Sequence, residues 1–384
     1  MSVTKILANT LFDGTGKITK DAVILVEDKK IKEVGVKAAL GAAPADKTLE
    51  YNFVMPGLID CHNHVTVTMG NGPRPEGKDV SPIVNAMRGV ENVAKDLFCG
   101  VTTMRTLGEP NRIDMACKDE IENGWIPGPR LICAGQSVRS THGHGMLAIA
   151  ADGTDQVRIA ARNNIKAGAA VLKLLTTGLI GTPGHIKSDY SKEEIEAFVD
   201  EAKRAELPST VHCIGGIGLK WCVEAGMESI EHGFFVDDEN IETLLKYDCW
   251  LDMTPGPFFI DERVNASPKK TAEGMVANRE IMRECQIKAI KAGVKFSIGT
   301  DSYHGNFSRE LEIFTKQFGC PNEQVLKAAT LNGAKVCRVD DITGTIEAGK
   351  YADIIACAGD PLANIRDLDN LLLVMKEGKI YIDK

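Results

Sequence analysis

The chain has 384 residues, a formal net charge of −8 at pH 7, and 43% hydrophobic residues. Such a length supports a large core, arranged either as two or three domains or as one large α/β barrel with additions. Because the charge is negative and no cluster of Lys and Arg is interleaved with aromatic residues, we expect no nucleic-acid partner.

Cellular location is constrained by what the sequence does not contain. The first residues, 1–5, lack the apolar core of a secretory signal, and no segment approaches the roughly 20 apolar residues of a membrane span. The eleven cysteines include no Cys-x-x-Cys spacing, which is typical of free thiols in a protein core. We therefore expect a cytoplasmic protein with no membrane partner.

The two ends of the chain have the same pattern of short strands. Residues 1–52 contain alternating runs at 4–7, 22–26 and 30–34, separated by turn-rich segments, and the tail from residue 341 contains similar runs. Neither end has enough strands for a core of its own. The sequence therefore predicts one β-sandwich subdomain formed jointly by residues 1–52 and 341–384.

Between these ends, residues 53–340 alternate strand-like apolar runs with helical stretches. Clear helices are predicted at 191–207, opened by Ser191, and at 271–293, closed by Gly293. The eight predicted strands are 54–60, 102–106, 131–135, 171–176, 210–213, 229–231, 250–253 and 296–299. This alternation predicts an α/β fold, specifically a (β/α)8 TIM barrel.

Two histidines one residue apart, His62 and His64, follow the first predicted strand. The period of two in a strand places both imidazoles on one face, where they can converge on a divalent metal. Taken alone, the pair is equally compatible with two polar side chains in a barrel interior or a turn.

Other predicted strands also carry polar side chains at or near their carboxyl ends, where the chemistry of such a barrel gathers. These four residues are Lys173, His212, His232 and Asp301. All are of types that ligate or bridge metals, and with His62 and His64 they make six positions. This convergence favours a metal centre over isolated structural roles.

These residues carry a family resemblance. The strings PGLIDCHNH, AVLKLLTTG, TVHCIGG, ESIEHG, SIGTDS and AATLNGAKV, with GTIEAGKYADIIA after them, resemble the amidohydrolase superfamily nearly end to end. The strings HGHGM, ADGTDQVRIAARNNIKAGA and LKLLTTG resemble its prolidase-like, Xaa-Arg dipeptidase branch, which is related to imidazolonepropionases. The resemblance implies a small-molecule substrate and a homo-oligomer.

The resemblance also implies a binuclear metal centre. One metal is expected on His62, His64 and Asp301, and the other on His212 and His232. Lys173, carboxylated by carbon dioxide, would bridge them. Imidazoles with carboxylates suit zinc, although manganese, iron or cobalt fit the same ligands.

The chemistry of Lys173 agrees with this expectation, because an ammonium cannot ligate a cation. The alternative is a buried ion pair of Lys173 with Asp301 or Glu231, which leaves one metal and favours a mononuclear deaminase of a heterocyclic compound. On the binuclear interpretation, a metal-bridged hydroxide attacks the carbonyl of an amide. Asp301 then passes the remaining proton to the leaving nitrogen.

Further candidates concern the substrate. The resemblance places His144 in a motif whose histidine lies near the substrate carbonyl or carboxylate, so we predict a catalytic role, with a structural loop histidine as the alternative. Tentative substrate-binding residues are Arg139, His142, Tyr303 and His304. Relatives often have Tyr, His or Thr two residues after the metal histidine, but this chain has Ile214. An aliphatic side chain cannot bind a carboxylate, so N-acyl or cyclic amides become as credible as dipeptides.

Overall fold

The computed structural model describes residues 2–68, 80–145 and 147–384. Its strands, in chain order, are β1 (Val3–Phe12), β2 (Ile18–Glu27), β3 (Lys30–Val36), β4 (Lys47–Pro56), β5 (Leu58–Asn63), β6 (Val101–Thr106), β7 (Arg130–Cys133), β8 (Val138–Arg139), β9 (Ile149–Ala150), β10 (Leu172–Leu175), β11 (Ser209–Cys213), β12 (Ser229–His232), β13 (Trp250–Met253), β14 (Phe296–Ile298), β15 (Ile354–Cys357), β16 (Leu371–Lys376) and β17 (Lys379–Asp383).

The α-helices of the described residues surround and connect these strands. They are α1 (Lys37–Leu40), α2 (Pro82–Phe98), α3 (Ile113–Glu122), α4 (Gly153–Ala167), α5 (Lys192–Arg204), α6 (Gly216–Ala225), α7 (Asp238–Lys246), α8 (Gly256–Phe259), α9 (Asp261–Ala266), α10 (Lys269–Lys291), α11 (Phe307–Lys316), α12 (Asn322–Lys327) and α13 (Gly333–Val336). Both helices named from the sequence are confirmed as α5 and α10. In α5, the Ser191 Oγ accepts from the Glu194 amide at 3.3 Å and the Ser191 amide donates to the Glu194 carboxylate at 2.8 Å, and these two bonds form a capping box.

Strands from both ends of the chain form one seven-stranded sheet in the order β17-β16-β15-β4-β1-β2-β3. One face of this sheet buries apolar side chains from both ends, including Ile6, Ile24, Ile354 and Leu373. The prediction that the two termini build a common β unit is confirmed to this extent.

The apolar run predicted as one strand from 54 to 60 is divided between two sheets. Residues 54–56 end β4 and pair with β15, whereas β5 begins at Leu58 in a different sheet. Gly57 lies at the crossing, where a Cβ would come within 2.1 Å of the Thr102 Oγ1. The apolar run continues unbroken across this junction, so the pattern of apolar residues alone could not locate it.

The central part of the chain forms parallel sheets, as an α/β fold requires. Seven strands follow the order β14-β13-β12-β11-β10-β8-β9, and three more follow the order β5-β6-β7. The strands β10 to β14 lie within one residue of the predicted bounds. The sequence did not predict the two-residue strands β8 and β9, which are too short to leave a periodic signal.

No helix in the described ranges is long and apolar enough to cross a membrane. All eleven cysteines are free, and ten of them are buried. The cysteines are therefore core residues, as their apolar surroundings in the sequence predict.

Candidate metal centre

The six predicted ligand positions line one cavity of about 260 Å³. His62, His212 and His232 lie at or next to the carboxyl ends of β5, β11 and β12, and Lys173 lies within β10. His64 follows directly after β5, and Asp301 lies three residues after the end of β14. The fold thus brings together side chains that are far apart in the chain, up to the 239 positions between His62 and Asp301.

One group of potential metal ligands consists of His62, His64 and Asp301. The Nε2 atoms of His62 and His64 lie 3.3 Å apart, and the Oδ1 of Asp301 lies 3.7 and 3.6 Å from them. Burial lowers the pKa of His62 to about 4, so its imidazole is neutral at pH 7. Burial raises the pKa of Asp301, but the positive charges of Arg263 and of His62 and His64, which are protonated at low pH, outweigh this effect and bring it to about 2. Neutral imidazoles beside a carboxylate are the forms that bind a cation.

The second group consists of His212 and His232, whose ring centroids lie 4.5 Å apart. The ring of His232 is also 4.7 Å from that of His62, so the two groups are adjacent. Burial holds the pKa of both His212 and His232 well below the usual value.

Each of the four imidazoles has one nitrogen within hydrogen-bond distance of an oxygen atom outside the cavity centre. His62 Nδ1 lies 2.8 Å from Glu231, His64 Nδ1 lies 2.8 Å from the Gly108 carbonyl, His212 Nε2 lies 3.1 Å from the Gly178 carbonyl, and His232 Nδ1 lies 2.6 Å from the Thr254 hydroxyl. The carboxylate and the two carbonyls can only accept, so they fix the tautomers of their imidazoles, while the Thr254 hydroxyl orients the fourth ring. The other nitrogen of each ring is left available as a ligand.

Lys173 is only 2% exposed, and its Nζ has no hydrogen-bond partner among the described residues. The alternative of a buried ion pair with Asp301 or Glu231 is therefore not observed. Burial lowers the pKa of Lys173 to about 8, against the opposing charge of Glu231. A buried amine without a hydrogen-bond partner is unfavourable in a protein interior.

Behind the histidines lies a charged network that the sequence did not predict. The Arg105 guanidinium donates to Glu231 at 2.8 Å and to the Cys61 carbonyl at 2.7 Å, and it lies 3.9 Å from Asp252. Burial raises the pKa of Glu231, but Arg105 outweighs this effect and holds it well below the usual value. Glu231 precedes a ligand in the sequence, which is a usable signal. The pairing of Arg105 with Glu231 depends on how distant strands are arranged, so it leaves no signal in the sequence.

His144 also lies in the lining of this cavity, and its predicted catalytic role stays a prediction. Its ring centroid is 4.8 Å from that of His212, and burial lowers its pKa. A neutral imidazole at this position can donate or accept one hydrogen bond to a substrate.

The four tentative substrate-binding residues are not among the described residues that line this cavity. Arg139 donates to the carbonyls of its own loop, and His142 has a 72% exposed side chain facing Asp189 at 3.8 Å. The Tyr303 hydroxyl accepts from Arg309 at 2.6 Å, and His304 Nδ1 lies 2.7 Å from Asp96. Their role towards a substrate stays a prediction.

The remaining wall of the cavity is largely apolar. Its described apolar lining includes Val67, Leu107, Leu147, Leu175, Leu179 and Met275. Ile214 is buried outside this lining, and its amide donates to the Thr177 hydroxyl at 3.1 Å. The wall thus suits an apolar group next to the ligand cluster.

Comparisons with known proteins agree with this geometry. A model of the amidohydrolase family matches residues 53–381. Ochratoxinase from Aspergillus niger is 26% identical, over 99% of this chain and 86% of its own length. Imidazolonepropionase from Rhizobium rhizogenes is 23% identical, over 88% of this chain and 86% of its own length. The crystal structure of a Xaa-Pro dipeptidase with bound methionine superposes with a TM-score of 0.89 and 26% identity, covering 99% of this chain and 100% of that one. The resemblance predicted from the sequence is confirmed.

We predict that Arg105→Met lowers the free energy of unfolding by about 3–5 kcal/mol, because it leaves the buried carboxylate of Glu231 without its cation. Urea denaturation measures this loss. The matched control is Arg162→Met, which breaks a two-bond pair with Glu201 from a 56% exposed side chain and is expected to cost less than about 1 kcal/mol. Equal losses in the two variants would show that the buried network adds no particular stability.

Proposed function

Because the chain belongs to the amidohydrolase family, we propose that it is a metal-dependent hydrolase that cleaves an amide C–N bond in a small-molecule substrate. The chain is an enzyme of the hydrolase class. The observation that carries the proposal is the convergence of four neutral imidazoles, the Asp301 carboxylate and the unpartnered Lys173 on one cavity.

The ligand set supports two divalent ions, most simply zinc. His62, His64 and Asp301 would hold one ion, His212 and His232 the other, and a carbamate on Lys173 would span both. Bound ions of this kind lower the pKa of a water molecule and polarise a carbonyl group. The absence of any hydrogen-bond partner for the Lys173 Nζ among the described residues supports the carbamate, since a carbamate would replace an isolated cation by an anion between cations.

The protein's own groups would then position the reactants and move the proton. Asp301 lies on the wall of the cavity with a pKa of about 2, so it is ionised and can accept a proton from the attacking water. It would return that proton to the leaving nitrogen. His144, on the same wall, would hydrogen-bond the carbonyl or a carboxylate of the substrate.

The substrate class follows from the apolar wall and from the relatives. An N-acyl or cyclic amide, or a dipeptide with an apolar side chain, places its amide at the ligands and its apolar part against Leu107, Leu175 and Met275. The names ochratoxinase, imidazolonepropionase and Xaa-Pro dipeptidase fit this range. A substrate that extends past the cavity would be needed to reach His142 or Arg139.

The finer architecture is also proposed: a closed (β/α)8 barrel over residues 53–340 and a β-sandwich over residues 1–52 and 341–384. Two hydrogen bonds support closure, since the Asp301 amide donates to the His62 carbonyl and the Ala170 amide to the Cys133 carbonyl, both at 2.8 Å. An antiparallel bridge between Lys30 and Tyr351 supports the sandwich. Free cysteines fit a cytoplasmic location, and a homo-oligomer remains a prediction.

Lys173→Ala is expected to abolish activity and to reduce bound metal from two ions per chain to one or fewer, because the bridging group is lost. Short carboxylic acids should restore part of the activity. Metal content is measured by elemental analysis after loading with zinc and bicarbonate. The control is Lys376→Ala, which removes another buried lysine whose pKa is lowered to about 8 but which donates to the Gly128 carbonyl instead. Two tightly held ions in Lys173→Ala would refute the carbamate, and one ion in the native protein would favour the deaminase alternative.

Asp301→Asn is expected to preserve the fold and to lower kcat by about 10²- to 10⁴-fold, because the amide cannot carry the proton. Steady-state kinetics measures the rate, and circular dichroism reports the fold. Asp189→Asn is the control, since that carboxylate lines a separate groove. An unimpaired rate in Asp301→Asn would contradict its role in proton transfer.

A substrate screen tests the function directly. The zinc-loaded protein is incubated with Xaa-Pro and Xaa-Arg dipeptides, N-acyl amino acids and cyclic amides, and released amines are quantified by chromatography. We expect the highest kcat/KM for amides with an apolar group. Ammonia release from heterocyclic amines without hydrolysis of any amide would overturn the proposal in favour of deamination.

A further inference from the structure

Two of the proposed ligands lie on backbone that side chains other than glycine rarely adopt. His232 has a φ of +74° and is followed by Gly233 at +52°. Asp301 has a φ of +50° and is followed by Ser302 at +79°. Left-handed backbone at residues with a Cβ persists only where the surroundings hold it in place. Each turn therefore needs an external restraint.

One buried guanidinium contacts the turn at Asp301. Arg263, in α9, is 1% exposed, and its two terminal nitrogens donate to the carbonyls of Thr300 and Asp301. The opposite side of this turn is fixed to β5, because the Asp301 amide donates to the His62 carbonyl at 2.8 Å. The peptide groups around Asp301 are thus held from two directions.

A buried carboxamide makes the equivalent contact at His232. Gln286, in α10, is fully buried, and its Nε2 donates to the carbonyls of His232 and Gly233 at 3.1 and 2.8 Å. Arg263 and Gln286 both lie between β13 and β14. One connection of the chain therefore supplies the donors for both left-handed turns.

The surroundings of Arg263 leave little freedom for its guanidinium. A Cβ on Gly256 would lie 2.9 Å from Arg263 Nη1 and 2.2 Å from the Glu310 carboxylate, so only glycine fits between them. The Tyr303 ring faces the guanidinium carbon at 5.7 Å. One N–H of each terminal nitrogen thus bonds a main-chain carbonyl at the Asp301 turn, while the buried Nε has no hydrogen-bond partner among the described residues.

We propose that Arg263 and Gln286 are positioning residues, which hold the left-handed turns so that Asp301 and His232 face the metal ions. This inference rests on the proposed function, because it takes Asp301 and His232 as ligands. The connection between β13 and β14 contributes no proposed metal ligand of its own. Its role would be to support ligands that lie on other segments.

The test measures zinc affinity by competition with a chromophoric chelator, without substrate. Arg263→Met and Gln286→Met should each weaken one of the two zinc sites by at least about tenfold, which corresponds to 1.4 kcal/mol, and Arg263→Lys should recover part of the loss. In a protein that already carries Asp301→Asn, adding Arg263→Met should cause no further loss, since Arg263 acts through Asp301. If Arg263→Met does not fold, the same cycle is run with Arg263→Lys.

Arg279→Met is the matched control. Arg279 also donates to a main-chain carbonyl, that of Phe258 at 2.6 Å, but Phe258 is not next to a proposed ligand. It should leave both zinc sites unchanged. The inference is overturned if the native protein binds zinc at two sites and neither Arg263→Met nor Gln286→Met changes the zinc affinity of either site. Unchanged zinc affinity with a raised KM in Arg263→Met would instead identify a substrate anchor. A native protein that binds no zinc would refute the proposed function itself.

Discussion

The rest of the centre depends on one constraint, the buried amine of Lys173, which has no hydrogen-bond partner among the described residues. An unpaired polar group in a protein interior costs about 1–3 kcal/mol, and a charged one costs more. Four imidazoles with lowered or strongly lowered pKa values line the same cavity, and as neutral groups they offer no compensating negative charge to the Lys173 ammonium. Bound cations and a carboxylated lysine would compensate these buried polar groups, which explains why the fold places them together.

The rest of the centre is built to keep this arrangement in one geometry. Glu231 and Arg105 orient His62 from behind, while carbonyl and hydroxyl oxygens fix the other three rings. Because Arg105 lies in β6 and Glu231 in β12, their ion pair also connects the three-stranded sheet to the seven-stranded sheet. Fold stability and ligand geometry therefore depend on the same buried charges.

Much of this centre could be predicted from the sequence, because strand ends are local features. The period of two brought His62 and His64 together, and polar residues after apolar runs located His212, His232 and Asp301. The residues that support them could not be predicted in this way. Arg263 and Gln286 act on left-handed turns, and the pairing of Arg105 with Glu231 depends on how distant strands are arranged. The run 54–60 likewise divides at Gly57, whose close approach to Thr102 joins residues that are remote in the sequence.

The most direct test of the central claim is a crystal structure of the protein prepared with zinc and bicarbonate, with anomalous diffraction measured at the zinc edge. The account predicts two anomalous peaks in the cavity, one beside His62, His64 and Asp301 and one beside His212 and His232. It also predicts continuous electron density for a carboxylate on the Lys173 Nζ between the two peaks. An unmodified Lys173 with a single peak, or with none, would contradict it.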